Sequence, residues 1–300
     1  MPDIKFKLVT DIDTAKICWD SLSPRLCPYD EWDFRYAFFA PSNFPLAFYA
    51  GYINNKLIGL LPLQYNNKNK FLEYFGGDFM EYNHVLIDRN YQPLAIKFYQ
   101  HVLRQITEKI YLRDFMDGDP ILENYQPYDE TYYLSLENYQ DFEDFLQKKF
   151  SSKSRSNIRK KIRQLDKHQI EIIKDEPKDL ELLFELNVKR FGSESSFKEE
   201  KQQEAFRNLL QLPWEWSLQS FIVDGVKEAV SFSLLYKNIY TYIMAGSNIE
   251  KVPNLGSYVV VKALEEAWQK KATLFDAGRN DSGWKNRWHL DKKTLYNIRK

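Results

Sequence analysis

Three hundred residues exceed the size at which one hydrophobic core usually stops growing, so two domains are expected. With 44% hydrophobic, 16% aromatic and 28% charged residues the chain is globular rather than disordered. Lys+Arg and Asp+Glu balance at 42 each, which excludes a global bias toward nucleic acid or membrane and leaves only local charge arguments.

The opening MPDIKFKLVTDID has no apolar run of the signal-peptide kind, and no stretch approaches the roughly 18 apolar residues of a spanning helix. Cys18 and Cys27 are the only cysteines, and they form no CxxC pair. Both points lead to the expectation of a cytoplasmic protein with ordinary thiols. The first predicted strand covers 46–53, followed by a turn at Asn54-Asn55 and strands over 56–65 and 71–75, ending at Gly76-Gly77. A helix is expected over 93–107 and a strand over 110–115, closing at Asp117-Gly118.

The middle of the chain is helical. Phe142, Phe145, Leu146 and Phe150 recur at the helical period, with Asn138 as the expected N-cap. A basic helix follows: six cations and no acid lie between Ser151 and Arg163, with Arg155, Arg159 and Arg163 in one row and Ile158, Ile162 and Leu165 on the buried side. Like charges four residues apart repel mildly, a cost an anionic ligand or distant Glu residues would remove. Two further apolar stripes follow, Leu180 to Phe191 and Phe206 to Leu210, the latter ended by Pro213.

A second meander then repeats the first. Strands cover 218–223, 226–236 and 239–245, with a hairpin turn at Asp224-Gly225 and a close at Gly246. The first turns (54 and 224) and the closing glycines (76 and 246) are both 170 positions apart, which points to duplication. The domain boundary is placed between Asp129 and Asn138, giving domains 1–133 and 134–300. A helix over 255–269 and a strand over 273–275 complete the second half before Asp276-Ala277-Gly278.

Between the last meander strand and that helix lies Asn254-Leu255-Gly256-Ser257-Tyr258. A strand, a short Gly-containing loop and a helix N-terminus form an anion site, because unpaired N–H groups and the helix dipole both favour a phosphate. The same residues also suit a simple turn. Asp276, after an apolar strand, can act as a base or hold an acceptor amine, or it can cap the following turn. Lys285 stands between Trp284 and Trp288, as an anion ligand or with its stem laid on an indole. Arg279, Asp281 and Arg287 can form an ion-pair cluster. His84, His101, His168 and His289 lack metal-ligand spacing, and HExxH, P-loop and GxSxG motifs are absent, so no metal is expected.

Taken in order, Ser152 to Leu165, Asp224-Gly225, Pro253 with Gly256, Phe275-Asp276-Ala277-Gly278-Arg279, Asp281 and Trp284-Lys285-Asn286-Arg287-Trp288 resemble the BioF2-like, CelD-type acetyltransferases of the GNAT superfamily, relatives of the Fem-type aminoacyltransferases. The first half, through Leu61-Pro-Leu63, Gly77-Asp78 and Tyr82, resembles the family's degenerate N-terminal repeat. Trp284 replaces a usual Tyr, and Pro253 and Gly256 are separated where the family commonly has them adjacent. The resemblance implies an α/β (α+β) fold of tandem GNAT-like repeats, each a mixed, mostly antiparallel sheet flanked by helices. It implies acetyl-CoA or acyl-CoA as co-substrate, bound by Met244, Ala245, Gly246, Asn254, Leu255, Gly256, Ser257 and Tyr258, with the acyl carbonyl against the backbone of 240–246. Asp276, Lys285 and Tyr242 are the implied catalytic residues, with Tyr258 a second candidate acid. Arg155, Arg159, Arg163, Arg279 and Trp284 are the implied acceptor-side residues.

The acceptor is expected to be a small-molecule amine or a cell-envelope precursor. Nucleic acid is not expected, tRNA excepted. Two other readings remain: a Fem-type aminoacyl-tRNA-dependent transferase, which the basic helix would suit although no inserted helical hairpin is evident, and a non-catalytic anion binder.

Overall fold

Two central residues with positive φ give a hairpin the twist its strands need. In the computed structural model of the chain, which describes residues 4–116, 125–281 and 283–300, both predicted hairpins turn in this way. Asn54 and Asn55 have φ of 47° and 63°, and Asp224 and Gly225 have 51° and 82°. The Asp117-Gly118 close lies outside the described residues.

The chain divides into two units, Met1–Glu130 with Lys293–Lys300, and Thr131–Lys292. In the first, β1 (Lys5–Val9) leads through α1 (Ile12–Leu22) and α2 (Trp32–Phe39) to the meander of β2 (Leu46–Ile53), β3 (Lys56–Asn66) and β4 (Phe71–Tyr74). These strands lie in the order β1-β2-β3-β4, all antiparallel, and the short β5 (Leu86–Ile87) pairs with β3. The chain then passes through α3 (Ala95–Gln105) into β6 (Tyr111–Met116), beside a parallel bridge between Leu72 and Ile110. One face of this sheet buries Trp19, Trp32, Phe48 and Phe75, and the α3 side buries Phe98, Val102 and Phe115.

β7 (Gln126–Ser135) carries the chain into the second unit. There α4 (Phe142–Lys149), α5 (Ser152–Arg163), β8 (Ile170–Lys174), α6 (Asp179–Phe191) and α7 (Glu200–Leu210) precede the meander of β9 (Glu215–Val223), β10 (Val226–Tyr236) and β11 (Ile239–Ser247). Then come α8 (Leu255–Gln269), β12 (Leu274–Arg279) and β13 (Asp291–Arg299). Strands β8 to β11 are antiparallel in sequence order, β12 runs parallel to β11, and residues 131–135 of β7 pair antiparallel with β12. Each unit therefore repeats one order: strand, two helices, a three-stranded meander, a helix and a strand. The tandem GNAT-like architecture implied by the sequence is present.

Two local expectations change. Helix α4 is capped by Asp141, whose carboxylate accepts the Asp144 N–H at 2.9 Å, and not by Asn138. A division at 133/134 assigns the chain's last strand to the second half. Here Leu295 to Arg299 pair with β6, and Tyr296 and Ile298 pack on the first unit's core, because their apolar face continues that core.

Candidate functional site

Strand β11 is held on one side by β10 throughout, but its pairing with β12 covers only Ile239, Tyr240 and Thr241. Beyond Thr241 the two parallel strands part. A bulge lies at the same place: Phe232 pairs with Met244 and Ser233 with Tyr242, leaving Ile243 without a cross-strand partner on β10. Bulges re-aim side chains next to functional sites. Ile243, Met244 and Ala245 are half-buried between buried neighbours, so the parted stretch can be reached. Gly246 has a separate cause: a Cβ there would lie 2.8 Å from Leu186 Cβ, so the glycine lets α6 close onto β11.

The loop after β11 delivers the chain to α8 through Asn254, which holds φ of 73° and makes no side-chain cap. Its amide instead donates to Gln164 Oε1 at 3.0 Å, which ties the start of α8 to the residue after α5. Leu255, Ser257 and Tyr258 N–H donate to Val252 and Asn254 carbonyls. Gly256 sits close to the end of β11, where a Cβ would meet Ser247 Oγ at 3.1 Å. The parted strand and the uncapped start of α8 thus stand side by side, joined at Ser247 and Gly256. Tyr258 packs edge-on to Phe221, with its ring 5.2 Å from Lys262 Nζ.

Asp276 is 2% exposed and pairs in register with Thr241, the last residue before the strands part. Its Oδ1 accepts the Gly278 N–H at 2.9 Å, so it does cap the following turn. Lys285 is 4% exposed. Its ammonium donates to the carbonyls of Gly278 at 2.8 Å and Arg279 at 2.5 Å, and stands over the rings of Tyr132 and Trp284. It fixes the end of β12. Burial pushes the Asp281 carboxyl upward, but the N–H groups of Lys285, Asn286 and Gly283 outweigh that and hold it below its ordinary value. Asp281 therefore organises backbone, and Arg287 donates to the Gly283 carbonyl at 2.5 Å. Tyr242 stacks on Phe275 and meets Trp284 edge-on. Burial pushes its phenol well above the ordinary value, against a smaller opposing pull from Arg190.

The arginine row is only partly available. Arg155 donates to the Phe150 carbonyl at 2.7 Å, and Arg159 pairs with Glu143 of α4 at 2.5 Å. Arg163 is exposed and lies next to Gln164, hence near the start of α8. Ile158 and Ile162 pack on the core as the helical period predicts.

One buried cluster was not anticipated. Glu266, on the sheet-facing side of α8 and 4% exposed, accepts from Lys174 at 2.7 Å, Ser217 at 2.6 Å and Tyr240 at 2.5 Å. Burial raises its pKa, but those three donors win and hold it below the ordinary value. The signal in the sequence was a lone acid next to Ala263, Leu264 and Ala267 on an otherwise apolar stripe.

Residues 152–286 match a family described as the acetyltransferase (GNAT) domain. That segment holds β11, α8, Asp276 and Lys285. That segment is similar to GNAT-type N-acyltransferases. Solved structures share the fold along nearly the whole chain. FemX matches at 10% identity and TM-score 0.59, covering 97% of this chain and 96% of its own. L-PGS from Bacillus licheniformis matches at 11% and 0.59, covering 96% and 91%. A tandem GNAT protein from the clavulanic acid biosynthesis pathway matches at 9% and 0.58, covering 99% and 98%. At these identities the likeness is one of fold. No curated protein matches the sequence. No described helix is long and apolar enough to cross a membrane, and no group of three or more His, Cys, Asp or Glu among the described residues could hold a metal.

Proposed function

We propose that this protein transfers an acetyl or longer acyl group from acyl-CoA to an amine, and that the donor binds in the second unit. The observation that carries the reading is the parting of β11 from β12 beyond Thr241, next to an α8 start that no side chain caps. The acyl carbonyl would lie against the parted backbone of β11, where fixed N–H donors stabilise the developing oxyanion by a few kcal/mol. The pyrophosphate would lie at the α8 N-terminus. The amine attacks the thioester carbon directly and the CoA thiolate leaves, so no covalent enzyme intermediate is required. Asp276, at the fork, takes or orients the amine proton. Tyr242 stays protonated and can only donate, toward the leaving sulfur. Lys285 holds the end of β12 in place for both.

A second reading, an aminoacyl-tRNA donor, is favoured by the exposed cations of α5. Calorimetric titration of the intact protein with acetyl-CoA, desulfo-CoA and tRNA separates the two. Acetyl-CoA and desulfo-CoA should bind with similar affinity and tRNA should not compete. Binding of tRNA alone would overturn the acyl-CoA reading.

A further inference from the structure

The face of β11 opposite α8 carries a second set of polar groups. Tyr240 and Phe275 stack on the α8 side, so their register neighbours Thr241 and Asp276 point to the α6 side. The bulge at Ile243 shifts the alternation by one, and Met244 and Gly246 accordingly meet Asn187 and Leu186 of α6. Thr241 is 1% exposed, and its Oγ1 has no hydrogen-bond partner among the described residues. A buried hydroxyl left unpaired is costly, by about 1–3 kcal/mol. Asn187 is 5% exposed; its Oδ1 accepts from Ser195 at 2.7 Å, while its Nδ2 faces the Met244 thioether at 3.4 Å, a weak acceptor. One helical turn further, on the same side of α6, stands Arg190. It is exposed, 5.1 Å over the Phe191 ring, and makes no ion pair among the described residues. Its neighbour Lys189 is instead turned to Asn248 at 3.2 Å and Glu250 at 3.9 Å. The charge of Arg190 is felt at the Tyr242 hydroxyl, beside the fork.

We infer that the acceptor is an amine that also carries an anionic group, a carboxylate or a phosphate, gripped by Arg190 while Thr241 and Asn187 hydrogen-bond its polar body. The inference rests on the proposed acyl-CoA reading and adds the acceptor's chemical class. Arginine suits the role because its planar fork binds either anion through two hydrogen bonds. Gly246 meets Leu186 and Met244 meets Asn187, so α6 runs against β11 and Arg190, the next turn on, follows Asn187 toward the Thr241 and Asp276 end of the strand. An acceptor with anion at one end and amine at the other would span the α6 side of the fork there. The competing role for Arg190 is to neutralise the C-terminal end of the α6 dipole.

The test measures CoA thiol release from acetyl-CoA with matched amines: β-alanine against β-alaninamide, and O-phosphoethanolamine against ethanolamine. The anionic member of at least one pair should be favoured roughly tenfold in kcat/KM, and which pair shows it tells carboxylate from phosphate. Arg190→Gln should erase the preference by raising KM more than it lowers kcat, and Thr241→Val should raise KM in the same direction. Neutral amines used equally well would overturn the inference, as would a preference that survives in Arg190→Gln. Arg190→Gln that lowers only the melting temperature would assign the residue to the helix end and also overturn it. If none of these amines is acetylated, titration with inorganic phosphate and with acetate in the presence of CoA decides: anion binding lost in Arg190→Gln supports the inference, and no Arg190-dependent binding refutes it. Failure of the acyl-CoA reading shows separately, as absence of acetyl-CoA binding in the unaltered protein.

Discussion

At the scale of single residues the proposed site separates groups assigned to the reaction from groups that hold backbone. Asp276 was singled out in the sequence as an acid following an apolar strand that ends at Phe275; β12 instead continues to Arg279, and Asp276 lies within it, at the register position where β11 and β12 part. Its Oδ1 caps the Gly278 N–H, which is one of the two roles considered for it; the role toward the amine is part of the proposal. Asp276→Asn keeps that cap geometry and should lower kcat about tenfold, ~1.4 kcal/mol of barrier, with acetyl-CoA affinity unchanged in calorimetry. Lys285 was expected to face the acceptor. Its ammonium instead binds two backbone carbonyls, a use that depends on how β12 ends and that no spacing rule reveals. Lys285→Ala should therefore cost stability as well as rate, on the order of 2 kcal/mol from the lost charge-assisted bonds, read as a lower urea midpoint. For Tyr242, burial holds the phenol protonated past its ordinary value of 10.0. The rate profile should thus show no loss from Tyr242 ionisation on approach to pH 10, and a Tyr242→Phe variant should keep the same alkaline limb while losing turnover.

Elements were legible where the hydrophobic period is strong and opaque where register decides. Helix α8 covers the span read from its apolar stripe, and the two hairpins follow from Asn54-Asn55 and Asp224-Gly225. The bulge at Ile243 was not legible, because it depends on how β10 and β11 align and no residue type demands it. Gly246 was read as a cofactor contact, yet the tight approach of α6 explains it; Gly246→Ala should destabilise by about 1–3 kcal/mol through overpacking, measured by thermal unfolding. Glu266 ties α8 to β8, β9 and β11. Its carboxyl is held below the ordinary 4.5, so the stability it contributes is present above that value and is lost as pH falls through the depressed folded value. Glu266→Gln should accordingly lower stability at neutral pH and flatten the acid limb of the unfolding curve. Across α5 the arginine row is shortened by the Arg155 and Arg159 contacts. Exposed pairs of the Arg159–Glu143 kind are worth roughly 0–1 kcal/mol.

At the scale of the whole chain, duplication was visible as a shared offset of 170 between turns and closing glycines, and both units do repeat one order of elements. The two differ where chemistry would sit. After β11 the chain passes through seven residues directly into α8, whereas after β4 it makes a short helical turn at Gly77–Phe79, the strand β5 and a second turn at Arg89–Leu94 before α3. The helical stretch that runs into α3 starts at Asp88, whose carboxylate accepts the Asn90 N–H at 2.9 Å, so its first turn is capped by a side chain. The proposal of one donor site, in the second unit, is most directly tested by hydrogen–deuterium exchange of the intact protein with and without acetyl-CoA. Protection should appear over 240–258, with no change over 57–87. Protection in the first unit, or none over 240–258 at saturating acetyl-CoA, would contradict it.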